Sequence, residues 1–169
     1  GRFALSKSER IDWAQFGVGR GPALPPHWNL GPGRPIAAVR DAGAGAEVAL
    51  LTWGLIPYWA KERSIGARLA NARAESVHEK PAFRTAFQKR RCLIPADGFY
   101  EWQVVVGTAR KQPWFVRRHD EGIFALAGLW ERWQPAAGDP VESCTVLTTA
   151  ANALMAPIHD RMPVIIAPA

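Results

Sequence analysis

The sequence predicts an α+β domain with a mainly antiparallel, barrel-like β-sheet core and a few short helices. Three observations predict it. Eight short runs rich in β-branched and aromatic residues recur along the chain, whereas only three segments carry helical signals. Hydrophobic residues make up 48% of the 169 residues, enough to fill the core of one domain. No internal repeat, low-complexity tract or linker divides the chain, so residues 1–169 read as a single domain.

The elements follow in order. Ser6-Lys7-Ser8-Glu9 has the pattern of a capping box, and Ile11, Trp13, Ala14 and Phe16 follow at near-helical spacing, which predicts a first helix over residues 6–16. Residues 17–35 are thick with Gly and Pro and read as an ordered, irregular loop carrying Trp28 and Asn29. Gly17-Val18-Gly19 is no dinucleotide fingerprint, because no strand precedes it and Pro22 follows. Residues 36–40 and 47–53 read as a hairpin around a Gly-rich turn at 41–46. Further strands are predicted at 91–94, 99–106, 114–117, 123–129, 143–148 and 164–166. Pro81 in a first turn predicts a short helix over 81–89, and a third helix is expected over 150–156.

The net charge of +6 and a pI near 9.9 suit an anionic partner. Sixteen of the 21 cationic side chains are arginine, whose planar fork grips phosphate bidentately and stacks on bases. Biased codon usage produces the same Ala-, Gly-, Pro- and Arg-rich composition, so charge alone leaves nucleic-acid binding open. No apolar run approaches the roughly 18 residues of a membrane span, and the N-terminal residues lack an export signal, so a cytoplasmic protein without membrane partners is expected. Cys92 and Cys144 are far apart in strand-like surroundings and read as small buried hydrophobes. His27, His78, His119 and His159 are scattered, so no metal is predicted, and nothing suggests a nucleotide or flavin cofactor.

Three polar islands stand at the edges of apolar stretches: Asn71-Ala72-Arg73-Ala74-Glu75, Ala96-Asp97-Gly98-Phe99-Tyr100-Glu101-Trp102, and Ile158-His159-Asp160-Arg161-Met162-Pro163. Together they can aim an amide, a carboxylate and an imidazole into one cleft. Strand alternation puts Glu101 on the face opposite Tyr100 and Trp102, where it is either solvated or partly desolvated in a cleft; desolvation would raise its pKa and fit it for proton transfer. His159 is a candidate base that Asp160 and Arg161 could orient, or a side chain that simply closes a helix end. In an extended segment Asn71 and Arg73 share a face, which suits a sugar oxygen and a phosphate, or equally a structural turn. Residues 53–61 interleave aromatics with Pro57 and Lys61; Trp59 is the candidate for base stacking, while Trp13, Trp102 and Trp130 are expected in the core. Gln88-Lys89-Arg90-Arg91 can track a nucleic-acid backbone or be solvated surface.

Taken together, Gly1-Arg2-Phe3, residues 53–59, 71–75, 92–102 and 159–163 resemble the SOS-response-associated peptidase (SRAP) family, which shields abasic sites in single-stranded DNA, and the resemblance spans nearly the whole chain. It implies a covalent mechanism. An N-terminal cysteine, exposed by removal of the initiator Met, condenses through its amine and thiolate with the ring-opened abasic sugar to give a thiazolidine, with self-processing and lyase-like ability. By motif match Asn71 holds the amine and sugar, Glu101 assists proton transfer, and His159 acts in ring opening or crosslink reversal. Arg2, Arg73 and Arg161 grip phosphates, with Pro32, Pro57 and Trp59 shaping a kinked strand. The implied partner is single-stranded DNA containing abasic sites, bound by a monomer that becomes nucleoid-associated on DNA. The family's cysteine is expected immediately before Gly1, and a further C-terminal portion beyond Ala169. Cys92 and Cys144 carry no free α-amine and cannot replace it. The competing readings are a peptidase acting on other proteins and a non-catalytic single-strand binding module.

Overall fold

The computed structural model describes residues 1–41 and 43–167. It contains twelve strands: β1 (Arg2–Leu5), β2 (His27–Leu30), β3 (Pro35–Asp41), β4 (Ala46–Trp53), β5 (Asn71–Arg73), β6 (Arg91–Ala96), β7 (Gly98–Val104), β8 (Lys111–Val116), β9 (Phe124–Trp133), β10 (Val141–Ala150), β11 (Arg161–Pro163) and β12 (Ile165–Ile166). One α-helix, α1 (Arg84–Lys89), and three 3-10 turns complete the described elements. The expected α+β class and barrel-like sheet are borne out.

Five strands close a ring in the order β4-β3-β6-β9-β10 and back to β4. Every pairing is antiparallel except β10 with β4, which meet through Ser143↔Thr52 and Cys144↔Trp53. Closure leaves the ring no open edge along which another chain could pair. The far half of β10 then takes β5 in parallel at Val146↔Asn71 and Thr148↔Arg73, and β11 antiparallel at Thr148↔Pro163. A second sheet, β2-β1-β7-β8, carries the first residues of the chain and lies over the barrel.

Apolar alternation builds the core between the two sheets. Phe3 and Phe99, opposite each other on β1 and β7, are buried, and Phe3 meets Trp53 edge-on at 5.3 Å between ring centroids. Leu51, Ile94, Leu126 and Val146 fill the space beneath them. A smaller cluster of Leu55, Ala72, Val77, Phe83, Leu129 and Leu147 secures α1 and β5. Buried Asp97 fastens β1 to β7: its Oδ2 accepts from Ser6 Oγ at 2.9 Å and from Lys7 N at 2.7 Å, and its own N–H donates to Ala4 O at 2.9 Å.

Those bonds explain the first departure from expectation. The continuous helix over 6–16 is absent; two 3-10 turns, Ser8–Arg10 and Trp13–Phe16, stand there instead. The Ser6 hydroxyl that would cap a helix is taken by Asp97, and Asp12 starts the second turn by accepting from Ala14 N at 3.1 Å. The helix expected over 150–156 is likewise a turn, since β10 runs on through Ala150 and the Asn152 side chain accepts from Met155 N at 3.0 Å, closing a local loop. α1 begins at Arg84, later than predicted. The short strands β1, β2, β5 and β11 had no predicted counterpart, and the expected strand over 164–166 is reduced to Ile165–Ile166. The hairpin of β3 and β4 stands as predicted, though Ala42 of its turn lies outside the described residues, as do Pro168 and Ala169. Trp13, Trp102 and Trp130 are half-buried rather than central; the fully buried indoles are Trp53 and Trp133. Trp130 supports the Arg40 guanidinium, which lies 4.2 Å from the ring centroid. Among the described residues no helix is long and apolar enough to cross a membrane.

The exit from β4 depends on a backbone crossing. Gly54 has φ +130°, and a β-carbon there would lie 2.6 Å from Gly66 O, so no side chain fits. Gly54→Ala is expected to lower the unfolding free energy by about 2–4 kcal/mol, combining backbone strain with a backbone clash, as measured by urea denaturation.

Candidate active site

The mouth of the barrel, where the second sheet overhangs it, is a cleft of about 370 Å³ lined by Gly1, Asn71, Arg73, Glu101, His159 and Arg161 among others. Each arrives from a separate element for a local reason. On β7, burial of Phe99 against the core turns Glu101 to the same face, toward the cleft. On β5, Ala72 packs into the core, so its neighbours Asn71 and Arg73 both face outward into the cleft. His159 ends the turn after β10, and Arg161 opens β11. A carbon built on Gly1 would lie 3.7 Å from Asn71 Nδ2, so the first residue reaches the amide.

Glu101 and His159 face one another, with His159 Nε2 4.0 Å from Glu101 Oε2. That is beyond hydrogen-bond length and leaves room for a proton to pass through a bound group. His159 Nδ1 lies 3.0 Å from Arg161 N, 3.2 Å from Arg161 O and 3.2 Å from Asp160 Oδ1, contacts that hold the ring with Nε2 toward Glu101. The Glu101 side chain is only 17% exposed, and burial raises its pKa above the usual carboxylate range, partly offset by attraction to His159. A carboxyl shifted upward holds its proton more readily than a solvated one, which suits it to exchange a proton with a bound group.

Arg161 is oriented through its two terminal nitrogens. Its two terminal nitrogens donate to both Glu75 oxygens at 2.9 Å, and Nη2 also donates to Thr148 O at 2.7 Å. In return Arg161 holds the Glu75 carboxyl down at about 2. Arg2 Nη1 donates to Asn29 Oδ1 at 3.3 Å, placing a second cation at the rim.

The structure thus brings together Asn71, Glu101, His159, Arg2, Arg73 and Arg161. Trp59, 48% exposed, lines a neighbouring, mostly apolar cavity of about 460 Å³ that shares Asn71 and Arg73 with the cleft. Pro57 is fully buried under that aromatic stretch, and Pro32 is exposed in the connection between β2 and β3; neither lines the cleft. Sequence reasoning assigned no role to Glu75, although its place in the first polar island was a signal, and none to Thr148, although alternation puts it on the same face as Val146. Cys92 and Cys144 are free and buried, and burial pushes the Cys92 thiol up to about 12 and raises that of Cys144, so neither is a ready nucleophile. Among the described residues no three His, Cys, Asp or Glu side chains gather as a metal site.

Fold and cleft together define a small barrel domain whose mouth gathers a carboxylate, an imidazole, an amide and three guanidinium groups around Gly1. The family described as SOS response associated peptidase (SRAP) matches residues 1–169, and the chain belongs to that family. It is 45% identical over 142 residues to the abasic site processing protein YoaM of Bacillus subtilis (strain 168), an alignment covering 84% of this chain and 62% of that protein. Against the abasic site processing protein HMCES of Pongo abelii the identity is 31% over 158 residues, covering 76% of this chain and 45% of that one. The chain therefore spans less than two thirds of the length of these curated relatives. Among solved structures, a Bacteroides thetaiotaomicron protein superposes with a TM-score of 0.87 at 28% identity, covering 98% of this chain and 76% of that one.

Because its pKa is raised in the fold, Glu101 binds protons more tightly folded than unfolded. Stability is accordingly lost as pH rises from the ordinary glutamate value of about 4.3 through the raised one. Glu101→Gln is expected to be more stable than the native protein at pH 7, with the advantage fading below about pH 4, read from melting temperatures across pH.

Proposed function

We propose that this domain processes abasic sites in single-stranded DNA by forming a covalent link to the damaged sugar. The observation that carries this reading is the convergence of Asn71, Glu101 and His159 on the cleft that Gly1 enters. A cysteine immediately before Gly1 would place an α-amine and a thiol among these three side chains. The relatives' description as abasic site processing proteins supports the same reading.

The chemistry requires two bonds to one carbon. The amine adds to the C1′ aldehyde of the ring-opened sugar, and loss of water gives an iminium. The thiolate then adds to that carbon and closes a five-membered thiazolidine, so that one water leaves in all. Asn71 orients the amine and a sugar oxygen. Glu101, its pKa raised by burial, takes the proton from the attacking amine and returns it to the departing hydroxyl. His159, its Nε2 facing Glu101, donates to the sugar ring oxygen as the C1′–O4′ bond breaks, and Glu101 takes the proton of the C1′ hydroxyl to leave the aldehyde. Arg73, Arg2 and the remaining donors of Arg161 neutralise flanking phosphates, and Trp59 offers a stacking face beside the cleft.

The test is intact-mass analysis of the natural chain, its first residue verified, after incubation with single-stranded oligonucleotides. A covalent adduct lighter by one water than the sum of its parts is expected with an abasic oligonucleotide and none with an intact one; equal trapping of both would overturn the reading. Asn71→Ala and Glu101→Gln are each expected to slow adduct formation about 10²-fold or more.

A further inference from the structure

Glu101 and His159 stand on opposite walls of the cleft. One wall is the β7–β8 hairpin; the other is the turn that leads from β10 to β11. Deep in the cleft the two sheets share a core through Phe3 and Trp53. At the rim, among the described residues, a single hydrogen bond joins the hairpin to the segment 150–163: Gln103 Nε2 donates to Pro157 O at 2.8 Å. Gln103 lies two residues beyond Glu101 on the same strand face, and Pro157 lies two residues before His159.

The Gln103 side chain is itself held. Its Oε1 accepts from Trp114 Nε1 at 2.9 Å, and Trp114 pairs directly opposite Glu101 on β8. An indole N–H can only donate, and a proline carbonyl can only accept. The side chain between them must offer an acceptor on one side and a donor on the other at the reach of two methylenes. A glutamine carboxamide does this in one orientation alone, because flipping it loses both bonds.

The turn it grips is locally stiff. Ile158 N and His159 N both donate to Met155 O, at 2.8 and 2.9 Å, and Met155 N donates to Asn152 O at 3.1 Å. Met155 is 1% exposed and pins the turn to the core, while Leu154 on its outer side is 72% exposed. The base of the turn is also held by Ile158 against the core and by Ala151 N, which donates to Asp160 O at 2.9 Å, so Gln103 acts on its outer edge at Pro157, two residues from His159.

We propose that Gln103 is a positioning residue: its carboxamide, clamped by Trp114, ties the His159 turn to β7 and sets the separation of Glu101 and His159 across the cleft. Its effect on catalysis rests on the acid–base reading of that cleft given above. The tether itself does not.

Gln103→Met keeps the length of the side chain and removes both polar ends, while Trp114→Phe removes the clamp and leaves the bond to Pro157. Hydrogen exchange at the Ile158 and His159 amides is expected to rise about tenfold in Gln103→Met and less in Trp114→Phe, with β9 and β10 amides unchanged in both. On abasic single-stranded oligonucleotide, Gln103→Met is expected to slow crosslinking about tenfold without weakening affinity for an unreactive tetrahydrofuran analogue, and this loss should vanish in a His159→Ala background. Unchanged exchange at Ile158 and His159 would overturn the tether whatever the protein does to DNA. A crosslinking loss of equal size with and without His159 would overturn the positioning role. If the native chain forms no crosslink at all, the proposed function falls, and the exchange measurement still decides the tether.

Discussion

The ladder of β10 is the constraint on which the rest of the structure depends. Its ten residues hand their hydrogen bonds in turn to β9, β4, β5 and β11. The near half closes the barrel. The far half, beyond the point where β4 leaves, collects the two short strands that bear Asn71, Arg73 and Arg161. Neither three-residue strand could hold an extended conformation alone, because a few backbone bonds do not offset the entropy of ordering the segment. Both are strands because β10 offers them a template, and the cleft therefore sits at the end of the barrel where β10 outruns its ring partners.

The second sheet supplies the opposing wall, and its attachment is chemically specific. Phe3 and Phe99 give the burial energy, while Asp97 fixes the position of β1 by accepting from a hydroxyl and a backbone amide of the residues that follow it. The first residues of the chain are thereby delivered to Asn71 and Glu101. The same overhang removes water from Glu101, which is why burial, rather than a neighbouring charge, dominates its raised pKa. The raised pKa of Glu101 is thus a consequence of how the two sheets close.

Electrostatic roles divide cleanly within the cleft. Arg161 is committed to Glu75 and Thr148, so much of its donor capacity is used in holding its place. Its backbone meanwhile fixes the orientation of the His159 ring through Nδ1. A single residue of β11 therefore braces both Glu75 and His159, one through its side chain and the other through its main chain.

Local chemistry in the sequence was sufficient for the fold class, the β3–β4 hairpin, most of the long strands, and the three polar islands that carry Asn71, Glu101 and His159. Alternation also told which face Glu101 would take and that Asn71 and Arg73 would share one. These features were legible because they depend on side chains two to four residues apart. The helix expected over 6–16 failed because Ser6 is claimed by Asp97, about ninety residues away, and no local pattern announces that partner. The strands β1, β5 and β11 were silent for a related reason: each is too short to show a period and owes its conformation to a distant template. By itself, the sequence determined which groups are available and which way each strand turns them. Only the tertiary structure decided that they meet, that Glu101 is desolvated where His159 can reach it, and that Pro57 is buried while Trp59 is open, because those outcomes follow from burial and pairing between segments far apart in the chain.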